Sequence, residues 1–207
     1  MSYEIEIIRK NQQITTTWAG GTTTQLAIYP KDAVYSERNF KWRISSAKVE
    51  LEESLFTSLP GIWRYIMVLE GEMKLAHEKH HQAYLKPFEQ DSFSGAWTTQ
   101  SFGKVTDFNL MVAQGCEGKL QSIHLETQDC KKMNIKPLSS SGAHQATEAI
   151  YCVKGNVNVT IDDNTPINLE AGDLCILNSK NEESVIAITL SNGGVETADI
   201  VNSSVLY

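Results

Sequence analysis

The sequence lacks any apolar run long enough to cross a membrane. A spanning helix needs about 20 consecutive apolar residues, and no run in this chain approaches that length. Residues 1–8 alternate charged with apolar side chains, without the basic start and unbroken apolar stretch of a secretory signal peptide. We therefore expect a cytoplasmic protein that does not bind membranes.

Cysteine is scarce and widely spaced. The four cysteines are Cys116, Cys130, Cys152 and Cys175. None forms a C-x-x-C pair, and the spacing matches neither a disulfide framework nor a zinc site. The pattern predicts four reduced thiols.

A concentration of basic residues is also missing. The net charge is −7 and the lysines and arginines are scattered, so the electrostatic footprint of a nucleic-acid-binding protein is absent. Hydrophobic residues make up 41% of the 207 positions and charged residues 21%, which is enough to build a core. The length fits one large domain or two small barrels.

Helical periodicity is nearly absent, and only residues 51–56 suit a helix of one or two turns. Runs rich in β-branched and aromatic residues are frequent and predict an all-β fold. The predicted strands are residues 41–49, 62–69, 108–113, 149–154, 156–161 and 184–190. A long loop is expected over residues 128–144.

A weak internal repeat aligns residues 65–75 with residues 149–159. Each copy turns at a glycine, Gly71 or Gly155, where a positive φ would permit a tight hairpin. The pattern favours a bicupin, with two jelly-roll (RmlC-like) barrels packed in one chain. We place the barrels at residues 1–116 and 117–207, the second being degenerate. The alternative is a single β-sandwich with similar hairpins.

Several local motifs in the first half resemble the HutD/Ves family. They are residues 18–22 (WAGGT), 40–47 (FKWRISSA), 56–64 (FTSLPGIWR), 93–95 (FSG) and 107–111 (DFNLM). The resemblance implies a cytoplasmic bicupin with no established activity. It also implies an association with histidine utilisation, for which regulation through a bound intermediate such as formylglutamate is the proposed role.

Strand alternation collects polar side chains into a candidate site in the first half. Arg43 and Ser45 share one face of their strand, Asp107 and Asn109 share a face of another, and Arg64 enters an apolar environment. We expect a guanidinium to bind a small acid, with Ser45 and Asn109 adding hydrogen bonds. The alternative is that Asp107 pairs with one of the arginines and ties strands together.

Three further residues complete the predicted ligand site. Trp18 and Trp42 are expected to wall the pocket, although aromatic residues in strands more often belong to the core. Thr22 follows Gly20 and Gly21, whose backbone amides would contact a ligand; an ordinary Gly-Gly turn is the commoner explanation.

The sequence predicts no metal, no cofactor and no catalytic residue. A metal-binding cupin presents two histidines one residue apart, and that pattern is absent. His77, His80 and His81 are expected at a solvated hairpin tip, where His80 and His81 would point to opposite faces.

The first functional hypothesis is a non-enzymatic binder of a small acid, and a monomer or homodimer. The second is a metal-independent isomerase or hydrolase in which Asp107 is the acid–base group. The third is a protein-interaction module, which predicts a filled interior and an exposed apolar patch.

Overall fold

The protein is almost entirely β-structure. A computed structural model describes residues 3–135, 143, 145–180 and 185–207, and 63% of the chain is strand against 3% helix. The strands are β1 (Tyr3–Ile8), β2 (Ile14–Trp18), β3 (Gly21–Tyr29), β4 (Trp42–Val49), β5 (Glu53–Leu55), β6 (Ile62–Glu70), β7 (Met73–His77), β8 (Gln82–Leu85), β9 (Gln90–Ser94), β10 (Thr99–Phe102), β11 (Val105–Ala113), β12 (Glu117–Leu125), β13 (Cys130–Ile135), β14 (Ala146–Lys154), β15 (Asn156–Ile161), β16 (Ile167–Glu170), β17 (Leu174–Ser179), β18 (Ile186–Ser191) and β19 (Ala198–Leu206). Two short 3₁₀ turns cover Lys10–Gln12 and Tyr35–Glu37. The all-β prediction is confirmed.

Residues 13–120 form one compact unit. Its larger sheet has the strand order β2-β3-β4-β11-β6-β9, and its smaller sheet has the order β5-β10-β7-β8. Alternate side chains of β6 and β7, such as Ile66, Val68, Met73 and Leu75, are buried in one apolar cluster together with Phe93. Side chains two residues apart share one face of a strand. Arg64 of β6 and His77 of β7 therefore lie on the same faces as these apolar residues.

Residues 121–207 form the second unit, and residues 3–12 belong to it. Its larger sheet has the order β1-β17-β14-β19-β12 and its smaller sheet the order β13-β18-β15-β16. Antiparallel pairing of β1 with β17, from Tyr3 opposite Ser179 to Ile8 opposite Leu174, holds the N-terminal strand there. This grouping differs from the expected division after residue 116 at residues 3–12 and at residues 117–120.

The two units repeat the same strand pattern. The order β4-β11-β6-β9 in one unit matches β12-β19-β14-β17 in the other, and β5-β10-β7-β8 matches β13-β18-β15-β16. The internal sequence repeat over residues 65–75 and 149–159 falls on β6-β7 and β14-β15, which occupy equivalent places. The weak sequence signal thus corresponds to a structural duplication.

The repeated glycines do adopt positive φ, but they do not close hairpins. Gly71 has φ +83 and Gly155 has φ +76, while the strands they join, β6 with β7 and β14 with β15, belong to different sheets. A Cβ at these positions would lie 2.4 Å from the carbonyl oxygen of Lys104 and 2.5 Å from that of Thr197. Glycine is needed because the chain crosses between sheets close to another backbone.

Two local predictions were wrong. Residues 53–55 of the predicted helix pair with β10 as the short strand β5, and the predicted loop over residues 128–144 contains β13, which pairs with β18. Part of that loop, including Pro137 and residues 139–142, lies outside the described residues, as does Ser184 of the last predicted strand. Strand pairing, which depends on distant residues, determined both segments.

The four cysteines are free thiols, as predicted. Among the residues described here, no helix is long and apolar enough to span a bilayer.

Candidate functional site

A cavity of about 400 Å³ in the unit of residues 13–120 collects most of the predicted site residues. Its size lies within the range of small-molecule pockets, roughly 300–1,000 Å³. Six of the eight predicted residues line it: Trp18, Arg43, Ser45, Arg64, Asp107 and Asn109. They come from β2, β4, β6 and β11, whose alternation points them to one side of the sheet.

Sheet register explains why these side chains meet. Met111 of β11 lies opposite Arg43 of β4 and opposite Arg64 of β6, so both arginines stand in one row across three strands. The next inward position of β11, Asn109, lies opposite Ser45. A register of this kind depends on pairing between distant segments, which a single strand pattern does not define.

Arg43 is held by neutral partners. Its Nε donates to Gln25 Oε1 at 2.9 Å, its Nη1 donates to Ser45 Oγ at 3.0 Å, and its guanidinium lies 4.3 Å from the centre of the Tyr35 ring. Burial lowers the pKa of Arg43. The sequence did not predict Gln25 or Tyr35 as site residues. The position of Gln25 beside Arg43 follows only from the pairing of β3 with β4, which places Gln25 opposite Ser45.

Removing the Arg43 head group is expected to destabilise the fold. In Arg43→Met, Gln25 Oε1 and Ser45 Oγ lose their donor, and leaving such groups unpaired costs about 1–3 kcal/mol. Urea unfolding should show this loss, and Ser45→Ala should show a smaller one because only one hydrogen bond is removed. An Arg43→Met protein as stable as the parent would show that these hydrogen bonds do not hold the strands.

Arg64 is buried and its head group is left without a hydrogen-bond partner at Nε among the described residues. The guanidinium lies 4.5 Å from the ring centre of Phe56 and 5.3 Å from that of Phe93. The pKa of Arg64 is lowered to about 10, mainly by burial; nearby Tyr35 and Asp107 act to raise it, and Arg43 acts to lower it. The side chain is therefore still a cation at neutral pH, held between aromatic rings.

Asp107 and Asn109 bring unpaired acceptors to the same cavity. Asp107 Oδ1 and Asn109 Oδ1 are buried without hydrogen-bond partners among the described residues. Burial raises the pKa of Asp107 to about 7, against the opposing effects of Arg64 and of a backbone hydrogen bond from Ala47. A carboxyl group with such a pKa is partly protonated at neutral pH, so it can donate as well as accept.

The alternative in which Asp107 ties an arginine into a structural ion pair is wrong. In the part of the chain that the structure describes, no nitrogen of Arg43 or Arg64 lies within 4.0 Å of a carboxylate oxygen of Asp107. Asp107 is near enough to raise the pKa of Arg64, although the two groups do not form an ion pair. Both polar ends remain available in the cavity.

Two of the predicted residues lie elsewhere. Trp42 is fully buried and stacks on Tyr29 with ring centres 5.8 Å apart, because alternation puts it on the face of β4 opposite Arg43. Thr22 does not line the cavity, whereas its neighbour Thr23 does. Trp18, 40% exposed, lines the cavity as predicted.

Ala19 and Gly20 form the turn between β2 and β3, and Gly21 is the first residue of β3, opposite Trp18. A Cβ on Gly21, at φ +146, would lie 1.9 Å from the carbonyl oxygen of Lys48. Close packing against β4 accounts for this glycine.

Among the described residues that line the cavity there is no histidine and no cysteine. In the described parts of the chain, one group of three metal-ligating side chains has its ligand atoms within 4.8 Å of one another: His77, His81 and Asp91. None of the three lines the cavity.

Comparison with solved structures shows a cupin-like fold. The conserved protein of unknown function PA5104 from Pseudomonas aeruginosa PAO1 is 24% identical to this chain, with a TM-score of 0.80, and the alignment covers 98% of each chain. HutD from Pseudomonas fluorescens SBW25 is 21% identical with a TM-score of 0.67, covering 97% of this chain and 98% of its own. The bacterial pirin YhhW from Escherichia coli is 12% identical with a TM-score of 0.63, covering 96% and 98%.

No curated protein matches this sequence. The family model of HutD, in contrast, matches residues 10–195, which is most of the chain and includes both units. The match extends well past residue 115, where the local motifs of the first half end. This chain belongs to the HutD family.

Proposed function

We propose that this protein is a bicupin whose first barrel binds a small carboxylic acid, with Arg64 as the anchor for the carboxylate. The observation that carries the proposal is the buried Arg64 head group, which faces a cavity of about 400 Å³ and whose Nε has no hydrogen-bond partner in the part of the chain that the structure describes. A buried cation without a partner is costly. A ligand carboxylate would supply the missing charge and accept from the guanidinium fork.

The remaining cavity groups define the kind of acid. Arg43 already donates to Gln25 and Ser45, and these hydrogen bonds fix its position. Its positive charge attracts an anion to the cavity. Asp107 Oδ1 and Asn109 Oδ1 are unpaired acceptors, which favour a ligand that also carries a donor such as an amide N–H. A formylglutamate-like acid has both features.

The family name connects this ligand class to histidine utilisation. On this proposal the protein is a non-enzymatic cytoplasmic sensor or buffer of a catabolic intermediate. The cavity supports this role over that of an interaction module without a ligand, which would require a filled interior.

A thermal-shift and calorimetry series tests the proposal. The acids are N-formylglutamate, glutamate and urocanate, and the matched control is the diamide of N-formylglutamic acid, which has no carboxylate. A ligand that binds only the folded state must raise the melting temperature. We expect at least one acid to raise it. At a concentration 100 times its Kd, such an acid stabilises the folded state by about 2.7 kcal/mol. Equal shifts with acid and diamide, or none at millimolar concentrations, would contradict carboxylate recognition.

A second candidate is a metal-independent enzyme acting on a small acid. The observation in its favour is Asp107, whose pKa is raised to about 7 by burial and which has no ion-pair partner within 4.0 Å in the described chain. Such a carboxyl group suits general acid–base catalysis near neutral pH. Proton exchange or hydrolysis of a bound acid, followed by NMR and abolished in Asp107→Asn, would support it.

A further inference from the structure

A second cluster of polar side chains lies at the hairpin between β7 and β8, outside the cavity. His77 Nε2 lies 3.0 Å from Asp91 Oδ2, and His81 Nε2 lies 2.9 Å from the same oxygen. The His77 side chain is fully buried, that of Asp91 is 15% exposed and that of His81 is 41% exposed. The cluster is therefore buried at His77 and open to solvent at His81.

The turn brings the two histidines together. Lys79 has φ +63, His80 N donates to His77 O at 3.0 Å, and His77 N donates to His81 O at 2.9 Å. These bonds place residues 77 and 81 across from each other without any helix. His80 stacks on Trp97 with ring centres 3.7 Å apart, and it is not one of the three residues whose ligand atoms lie together.

A neighbouring hydroxyl orients the buried imidazole. His77 Nδ1 lies 2.8 Å from Thr99 Oγ1, and Thr99 Oγ1 lies 3.4 Å from the carbonyl oxygen of Trp97. If the single hydroxyl proton is donated to that carbonyl, the hydroxyl oxygen accepts from Nδ1–H, which leaves the lone pair of Nε2 facing Asp91. Metal-binding histidines are typically fixed in this way, by a hydrogen bond from the other ring nitrogen.

The separations among the three ligand atoms suit a common cation. Histidine nitrogen and carboxylate oxygen bind zinc at about 2.0–2.2 Å, so neighbouring ligand atoms lie about 3.4 Å apart around a tetrahedral ion and about 3 Å apart around an octahedral one. The two nitrogen–oxygen distances of 3.0 and 2.9 Å equal the octahedral separation and need to lengthen slightly for the tetrahedral one. All three ligand atoms lie within 4.8 Å of one another, so small side-chain rotations can place them around one ion.

We propose that His77, His81 and Asp91 form a site for a divalent transition-metal ion such as Zn²⁺, Co²⁺ or Ni²⁺. Two imidazoles and one carboxylate supply three ligands, and imidazole favours these metals over Mg²⁺ or Ca²⁺. The exposed side of His81 leaves the remaining positions to water. This differs from the sequence-based expectation of no metal, which placed the three histidines at a solvated hairpin tip and considered only that His80 and His81 point to opposite faces.

The competing arrangement has no metal: each imidazole donates an Nε2–H to Asp91, and Thr99 donates its hydroxyl proton to His77 Nδ1. Both arrangements use the same heavy-atom distances. They differ in whether the cluster captures an added ion, and in whether Thr99 influences that capture.

Titration of the untagged full-length protein with Co²⁺ tests the proposal, followed by visible absorption and by competition with a chromophoric chelator for Zn²⁺. We expect one equivalent to bind, with at least ~10-fold weaker binding in His81→Gln and Asp91→Asn. His81 and Asp91 are partly exposed, so these variants should fold. Thr99→Val, which changes only the orientation of His77, should weaken binding by ~10–100-fold.

His80→Gln and His124→Gln are the matched controls and should bind the metal as the parent protein does. His124 contacts Asp199 at 2.6 Å and Glu126 at 3.1 Å on an exposed surface, so it resembles a chance metal-binding cluster. No stoichiometric binding, or binding that survives in His81→Gln and is lost in His124→Gln, would overturn the proposal. Unchanged affinity in Thr99→Val would overturn the assigned orientation of His77.

Discussion

Arg64→Met is expected to lose at least ~100-fold in affinity for small carboxylic acids and to remain as stable as the parent protein, or more so. A charge-assisted hydrogen bond contributes about 1.5–3 kcal/mol, and a guanidinium can make two of them to one carboxylate. Their loss corresponds to about 100-fold or more in Kd. Calorimetry with the best acid from the ligand series measures this effect.

The stability of the same variant follows from the environment of Arg64. The head group is buried with Nε unpaired among the described residues, and such an unsatisfied group costs about 1–3 kcal/mol. Methionine has a similar length and a flexible apolar chain, and can pack on Phe56 and Phe93. The lost cation–π contacts are worth about 0.5–2 kcal/mol, so the two effects nearly cancel or favour the variant.

Two matched controls replace other arginines with methionine: Arg38→Met removes an exposed arginine, and Arg43→Met removes a hydrogen-bonded one. Arg38 is exposed and donates to the carbonyl oxygen of Ser58, so its replacement should change neither binding nor stability by much. Arg43→Met should destabilise the fold, because Arg43 is hydrogen-bonded where Arg64 is not. An unfolded or strongly destabilised Arg64→Met protein would contradict the account, since Arg64 would then be a structural residue.

Asp107→Asn is expected to gain stability relative to the parent protein as the pH rises, with a difference about 3 kcal/mol larger at pH 8 than at pH 4.5. Burial raises the pKa of Asp107 to about 7, from an ordinary 3.8. Between these values the unfolded chain is ionised at this residue while the folded protein keeps the proton. The stability from Asp107 is therefore complete below about pH 4, and is lost as the pH rises towards 7. The loss sums to about 4 kcal/mol at most, at about 1.4 kcal/mol for each pH unit.

Urea unfolding of the two proteins at pH 4.5, 6 and 8 measures this difference. Taking the difference between variant and parent cancels the other titrating groups. Asparagine is always neutral, so the variant avoids the cost of ionising the buried carboxyl group. Acid binding to the parent protein should also weaken above pH 7, where Asp107 and the ligand are both anions. A stability difference that stays constant from pH 4.5 to 8 would contradict the raised pKa.

Much of the fold was predictable because its strands are locally distinctive. The run of apolar and β-branched residues over 62–69 became β6 almost without change, and residues 156–161 match β15 exactly in extent. The short strand β5 was missed because three residues with two acidic or polar side chains carry no strand signal of their own. Its pairing with β10 creates it.

The candidate site was predictable to the extent that strand alternation defines it. Alternation placed Arg43 with Ser45 and Asp107 with Asn109. It did not reveal Gln25, whose role depends on the register between β3 and β4. Nor did it reveal that His77 and His81 meet across a turn, since the conformation of Lys79 determines that approach.

The assignment of β1 shows the same limit at a larger scale. Its alternating charged and apolar residues identify a strand, but nothing in residues 3–8 indicates β17 as the partner. Asp173 then fixes the next residues: its carboxylate accepts from Arg9 Nη1 at 2.6 Å and from Lys10 N at 3.0 Å. Burial acts to raise the pKa of Asp173, but these hydrogen bonds outweigh it and the pKa is lowered.

The central claim is that the Arg64 guanidinium binds the carboxylate of a small acid, and NMR of the arginine Nε–H groups tests it most directly. The sequence contains only four arginines, Arg9, Arg38, Arg43 and Arg64, so each Nε–H signal can be assigned from one variant. On titration with N-formylglutamate, the signal absent in Arg64→Met should move downfield and saturate, while those of Arg9 and Arg38 stay in place. An Arg64 signal that does not move while the acid binds would contradict the account.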